Sequence, residues 1–268
     1  VSKLEYKFTN DVLFKMLFVK YPELLKRLIA KMLGIPLESI GKFKITNPDI
    51  PLEVVGEKFC RLDINMTVDG RRVDLEVQVT NEGDYPERAL YYWARGFSSA
   101  LGVGGEYSDL PPSIVISILA FKQFDCTEFY SEFQVLEVKR HTPLTDRMVL
   151  QFYELPKIPK EISSEDELGL WLTLFDAKTE ADLAKLEAME VPVMKQAIEA
   201  YYHVTATDEF REIERLRSRA RHNEASALGH AQRKEREKWQ GIVADKDAEN
   251  NKLRAQLAEL QAQLNETN

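Results

Sequence analysis

The stretch KFCRLDINMTVDGRRVDLEVQVT, Lys58 to Thr80, holds two alternating apolar–polar runs joined by Asp69-Gly70. Asp-Gly between such runs is the strongest short signal for a two-residue β-hairpin. A two-residue turn fixes the register, so Val68 faces Arg71, Met66 faces Val73, Ile64 faces Leu75 and Leu62 faces Val77. These pairs form an apolar face. The other face pairs Asn65 with Asp74, Asp63 with Glu76 and Arg61 with Gln78. A slip by one residue would turn one strand's apolar set to solvent, so the pattern itself specifies the pairing.

The polar face is unusual. Cross-strand neighbours have Cβ atoms roughly 4.5–5.5 Å apart, and like charges directly opposite destabilise a sheet. Asp63 against Glu76, with Asp74 one step along, concentrates acid at one end of the hairpin. A divalent cation removes that repulsion, and hard ions such as Mg²⁺ favour one or two carboxylates plus waters. A solvated face neutralised by Arg61, Arg71 and Arg72 is the alternative, and the hairpin alone leaves both open.

Working outward, residues 10–34 carry apolar side chains at helical spacing (Leu13, Phe14, Leu17, Phe18, Leu24, Leu25, Leu28, Met32). Thr9 or Asn10 caps the start, Gly34 stops the helix and Pro22 is a candidate break. Lys42 to Thr46 predicts a short strand ahead of the hairpin. Pro86 to Leu101 predicts a helix with Pro in its first turn and GVGG beyond its end. SIVISILAF, 113–121, is continuously apolar, as in a strand buried on both faces. EFQVLEVK (132–139) and MVLQFYEL (148–155) read as further strands. This order predicts an α/β sandwich with a mixed sheet flanked by helices. From Ser163 the chain turns helical, with a capping-box-like start at Thr179 and Asp182 and a further helix from Pro192 to Tyr202. The expected division is a core over 1–160, a helical subdomain over 161–207 and a long helical tail over 208–268.

In that tail, Leu253, Leu257, Leu260 and Leu264 alternate spacings of four and three. The frame puts Leu257 and Leu264 at a, and Leu253 and Leu260 at d. Traced backwards it puts Asn250 and Val243 at a, and Lys246 and Trp239 at d. An Asn at one a position is a register and dimer specifier. The expectation is a coiled-coil homodimer; a single exposed helix stabilised by Glu–Lys and Glu–Arg pairs is the alternative.

Asp on one strand and Glu-x-Gln on the next resembles the PD-(D/E)XK nuclease core, in which the Lys is sometimes Gln. More narrowly, the chain resembles the Rpn family of recombination-promoting nucleases, known also as PD-(D/E)XK transposases. The matching pieces are TNDVLFKMLF, RLDINMTVDGRRVDLEVQ, ERALYYWARGFSSAL, LPPSIVISIL and LQFYELPK, in the family's order over Leu4 to Lys157. The resemblance implies a restriction-endonuclease-like fold and a Mg²⁺-dependent DNA endonuclease that promotes recombination, with Mn²⁺ or Ca²⁺ as other possible ions.

It also implies roles. Asp63 and Glu76 are the expected metal ligands, with the Val77 carbonyl as a third. Gln78 stands where the superfamily usually has Lys; Gln can orient by hydrogen bonds but carries no charge. Asp11, in the family's Asp-x-x-Phe-Lys pattern, is a further candidate site residue, or simply an acid favoured at a helix N-terminus. Lys15, one turn along, could supply the cation that Gln78 lacks. Arg88, Tyr92 and Arg95 recur at i, i+4 and i+7 and suit phosphate contact and base stacking, or a half-buried helix face.

Composition bounds these readings. At 268 residues, 44% hydrophobic and 30% charged, the chain reads as one sizeable globular core with a charged appendage. No apolar run approaches membrane-spanning length, and no basic-then-apolar leader pattern opens the sequence. Two cysteines, Cys60 and Cys126, make no disulfide framework and point to a reducing cytoplasm. The net charge of −8 argues against a broad basic surface, so any contact with DNA must rest on local cations. Four scattered histidines offer no zinc spacing, and no nucleophile elbow or phosphate-binding loop is visible. Two other functions stay open: a catalytically weak relative that binds nucleic acid without cutting, and a helical interaction protein acting through its tail.

Overall fold

A computed structural model describes residues 2–47, 63–102 and 104–266. The hairpin is built in the expected register. β2 (Ile64–Val68) and β3 (Arg71–Gln78) run antiparallel with Ile64 opposite Leu75, Asn65 opposite Asp74, Met66 opposite Val73 and Val68 opposite Arg71. Asp69 (φ 48°) and Gly70 (φ 82°) both take the left-handed conformation that this turn requires. The expected pairs of Arg61 and Leu62, and the placement of Cys60, lie outside the described residues.

Two strands flank the hairpin: β1 (Phe43–Ile45) pairs antiparallel with β2, and β4 (Ser113–Leu119) pairs parallel with β3. The sheet continues through β5 (Tyr130–Phe133) and β6 (Met148–Glu154), giving six strands in the order β1-β2-β3-β4-β6-β5. All seven residues of β4 are buried, as its continuous apolar run requires.

The strand expected over 132–139 is shorter and earlier. β5 ends at Phe133, and the chain turns through His141 (φ 55°). Leu136 and Val138 stay exposed, 41% and 86%, because β5 is an edge strand and, among the described residues, no strand lies beyond it to cover them.

Among the described residues there are seven α-helices. Pro22 does divide the first helical segment: α1 is Asp11–Lys20 and α2 is Pro22–Met32, with Pro in the first turn of the second. Asn10 caps α1, its side chain accepting the Leu13 N–H at 2.9 Å. α3 (Tyr85–Ser98) follows β3. Beyond the sheet come α4 (Glu167–Asp176), α5 (Glu180–Glu187, with the expected Thr179–Asp182 capping box), α6 (Pro192–Thr205) and α7 (Asp208–Glu266).

The layers follow from the alternation. Ile64, Met66, Val73, Leu75, Ile114, Ile116 and Ile118 face one large core shared with α1, α2 and α4 to α6, where Trp171 and Phe175 pack with Phe14 and Phe18. Val115, Leu119, Leu150 and Phe152 point the other way, under α3, with Tyr85 and Ala89. This second layer covers β4 and β6, and the polar side of β2 and β3 lies beside it. Phe210 and Ile213 root α7 in the main core, while Trp239, Val243, Leu253, Leu257 and Leu260 are at least half exposed along it. Among the described residues no helix is long and apolar enough to cross a membrane.

Candidate active site

The polar side of the hairpin presents Asn65, Thr67, Arg72, Asp74 and Glu76, and Asp63 directly precedes β2. The last ladder pair is Ile64 with Leu75, so the next rung outward is Asp63 beside Glu76. Asp63 is held from several directions. Its carbonyl accepts from Lys15 Nζ (2.9 Å) and Asn47 Nδ2 (3.1 Å), and its Oδ2 accepts from Asn65 Nδ2 (3.0 Å). Asn47 also takes the Asn65 N–H (2.7 Å), pinning this corner to the end of β1.

Glu76 is buried, 6% exposed, although it belongs to the polar face. The reason is Tyr85, fully enclosed in the first turn of α3, whose hydroxyl donates to Glu76 Oε2 (3.1 Å) and lies 3.0 Å from Ser117 Oγ on β4. Burial first, and then the charge of Glu76, push the Tyr85 hydroxyl well above its usual pKa, so it stays a donor.

Asp74 completes the acidic group. Burial, followed by the charges of Asp63 and Glu76, drives its carboxyl well above the ordinary range; Arg72 opposes this. Its Oδ1 is enclosed and has no hydrogen-bond partner. Buried polar atoms are nearly always paired, so such an orphan marks a place where something else belongs.

Gln78 ends β3 and passes its carbonyl to Ala120 N–H on the β4 side (2.9 Å). Successive carbonyls of a strand point to opposite sides, so that of Val77 is turned toward the β2 side, where Asp63 stands. The residue that would face Val77 there, Leu62, lies outside the described residues.

The remaining candidates are placed differently. Lys15 is buried (2% exposed) and reaches the site through the Asp63 main chain. Asp11 has its carboxylate taken up by α7: Arg217 Nε lies 2.8 Å from Oδ2 and Arg221 Nη1 2.9 Å from Oδ1. Arg88 turns inward, paired with Glu82 and 4.9 Å above the Tyr85 ring. Tyr92 lines a cleft between α3 and the hairpin, and Arg95 is exposed in the last turn of α3.

Tyr85, Ser117 and Asn47 escape a reading by sequence pattern. Tyr85 precedes Pro86 at a helix start, which announces the helix but not the reach of the hydroxyl back to β3. Asp74 was legible as a third acid on the rung face; its orphaned oxygen was not.

Among the described residues no group of three or more His, Cys, Asp or Glu side chains is arranged to hold a metal ion. The donor set instead fits a hard divalent cation held by two carboxylates with main-chain oxygen and water, since all its donors are oxygen.

No curated protein and no solved structure matches the chain. The family model described as PD-(D/E)XK nuclease family transposase matches residues 8–231, which takes in the sheet, α1 to α6 and the root of α7. With its mixed sheet and an acid-bearing hairpin at the expected place, the chain belongs to the PD-(D/E)XK nuclease family transposases.

Proposed function

We propose that this chain is a Mg²⁺-dependent DNA endonuclease whose breaks promote recombination. Carrying the reading is the crowding of Asp63, Asp74 and Glu76 on one sheet face, close enough for the first and third to raise the pKa of the second. Asp63, Glu76 and the Val77 carbonyl would hold the ion, with Mn²⁺ or Ca²⁺ as substitutes. When bound, such an ion polarises the scissile phosphate and lowers the pKa of a bound water.

The protein's own part is positioning. Tyr85 fixes one oxygen of Glu76 and thereby the set of the carboxylate. Lys15 fixes the Asp63 main chain and brings a cation to a site where Gln78 offers only hydrogen bonds. Asp11, through Arg217 and Arg221, ties the helix that bears Lys15 to the root of α7. Tyr92 and Arg95 are assigned to the approach of the DNA, whereas Arg88, turned inward onto Glu82 and the Tyr85 ring, serves to hold Tyr85.

A plasmid-nicking assay with Mg²⁺, Mn²⁺, Ca²⁺ and EDTA, run beside Asp63→Ala, tests this. Cleavage by the native chain should need the ion and fall by about a hundredfold or more in the variant, the range for losing one charge-stabilising group. Equal cutting by both proteins overturns the assignment.

The tail is proposed to join two copies, with a core over 1–160 and helices over 161–207 carried on it, in a reducing cytoplasm. A parallel pairing in the a/d frame sets Asn250 against Asn250 and places Glu249 of one copy beside Arg254 of the other, giving charge complementarity on both sides of the seam. Lys246 at d is paired within its own helix to Glu249 (2.7 Å). The chain shortened after His230 should be monomeric by light scattering where the full chain is dimeric; an unchanged oligomer removes the coiled coil.

A further inference from the structure

Between α3 and the open side of the hairpin lies a cleft of about 420 Å³, bordered by Asn65, Thr67, Arg72, Asp74, Tyr92 and Ser113. It adjoins the acidic rung directly, since Asp74 is two residues before Glu76 on the same face of β3. Its volume falls within the range of small-molecule sites.

Two of its borders carry enclosed polar atoms without partners: Asp74 Oδ1 and Ser113 Oγ. Ser113 is only 5% exposed and stands at the start of β4, beside Arg72 on β3. Its main chain is fully used, the carbonyl accepting from Trp93 Nε1 and the N–H donating to Arg147 O. The hydroxyl alone is left over. An enclosed hydroxyl and an enclosed carboxyl oxygen on adjacent strands, both bordering one cavity, are a pair of unspent hydrogen-bonding groups converging on one ligand.

The chemistry of the borders selects the ligand. A planar group with donors and acceptors along one edge would satisfy both orphans at once. An aromatic neighbour favours a ligand with a π face, and Tyr92 supplies one. Arg72 brings a cation to the same rim. A nucleotide meets all three demands, its base edge and face the first two and its phosphate the Arg72 cation. A base within an intact duplex cannot enter, because its pairing edge and both of its faces are already occupied.

We infer that this cleft receives one unpaired nucleobase of the DNA substrate, its edge against Asp74 and Ser113 and its face on Tyr92. The inference rests on the proposed nuclease reading and narrows it: the preferred substrate is single-stranded DNA, or a duplex position where a base is already unpaired.

The test is equilibrium binding of the full-length chain, at low salt in EDTA, to three labelled DNAs. These are a single strand, its intact duplex, and the duplex with one bulged base. The single strand and the bulged duplex should bind at least about tenfold more tightly than the intact duplex, the order expected for stacking one base on an aromatic ring. Ser113→Leu, whose side chain fills the cleft, should bring that ratio toward one, and Ser113→Ala should lower it less. A second readout needs no variant: 2-aminopurine at the unpaired position should lose fluorescence on binding, as a stacked base does. Equal affinity for the three DNAs, no binding to any, or bound 2-aminopurine with undiminished emission each overturns the inference. So does a Ser113→Leu chain that melts cooperatively yet keeps the tenfold ratio. The two readings fail separately: the preference without Mg²⁺-dependent cutting sinks only the nuclease assignment, whereas cutting without the preference sinks only the cleft.

Discussion

The two sides of the β2–β3 hairpin are made by the same residues in alternation, yet they obey opposite rules. On one side Ile64, Met66, Val73 and Leu75 are each no more than 2% exposed and sit in a single continuous core. On the other, Asp63, Asp74 and Glu76 are crowded together, one carboxyl is pushed well out of its normal range and an enclosed oxygen has no partner. A buried acid is not in itself a sign of function. Glu154 is fully enclosed, but it is ion-paired to Lys157 and accepts the main-chain N–H of Phe124, so its burial is compensated. Asp74 is compensated less: the charges of Asp63 and Glu76 stand beside it, and one of its oxygens is left over. One side of the hairpin fixes the fold; the other gathers three acids on one face at a cost to folding, which is the mark of a site.

The comparison breaks most visibly on the apolar side. Leu75→Ala removes a fully buried side chain from a packed core, and the cost is about 2–5 kcal/mol. Chemical denaturation should show it directly. Activity per folded molecule should be retained at low temperature, because no rung acid is touched. If the variant lost activity without losing stability, the separation of roles between the sides would be wrong.

Tyr85→Phe probes the seam between the two roles. The ring still fills its place against Phe121 and Phe152, but Glu76 Oε2 and Ser117 Oγ lose their shared partner. Leaving a buried acceptor unsatisfied costs about 1–3 kcal/mol. Because Glu76 is then less firmly set, the Mg²⁺ concentration for half-maximal cleavage should also rise. A purely structural tyrosine would lower the melting temperature and leave that metal dependence where it was.

How much of this was legible in the sequence depends on how local the cause is. The hairpin register follows from Asp69-Gly70 and period-two alternation, both contained within a dozen residues, and the structure keeps it from Val68–Arg71 to Ile64–Leu75. β4 was legible because five of its seven residues are Ile, Val or Leu, broken only by two small serines, in a run too short for a buried helix. The 132–139 strand was misplaced because apolar residues at a sheet edge look the same whether or not a neighbour exists to cover them. The site divides in the same way. Asp63, Glu76 and Asp74 share a face by local geometry, whereas Tyr85 to Glu76, Asn47 to Asp63 and Asp11 to Arg217 are contacts made by folding, 9, 16 and 206 residues apart. Pattern reading reaches the first group and has no purchase on the second.

The finest test of the contrast is Asp74→Asn. In the folded chain the Asp74 carboxyl holds its proton well above the ordinary carboxylate range, chiefly through burial and then through Asp63 and Glu76. In the unfolded chain it ionises near its ordinary value of about 3.9. The sign follows from proton counting. Below that value both states carry the proton and the residue adds no penalty. As pH rises the unfolded state releases its proton first, so stability falls until the folded pKa is passed. The amide has no charge to lose and keeps a donor for Asp63. Asp74→Asn should therefore melt higher than the native chain at neutral pH, and the gap should close as pH falls toward 4. A substitution on the apolar side cannot produce that pH dependence. A gap that stayed constant with pH would place the effect in packing and remove Asp74 from the acidic group; a gap of opposite sign would mean that the carboxylate is charged and paired in the fold.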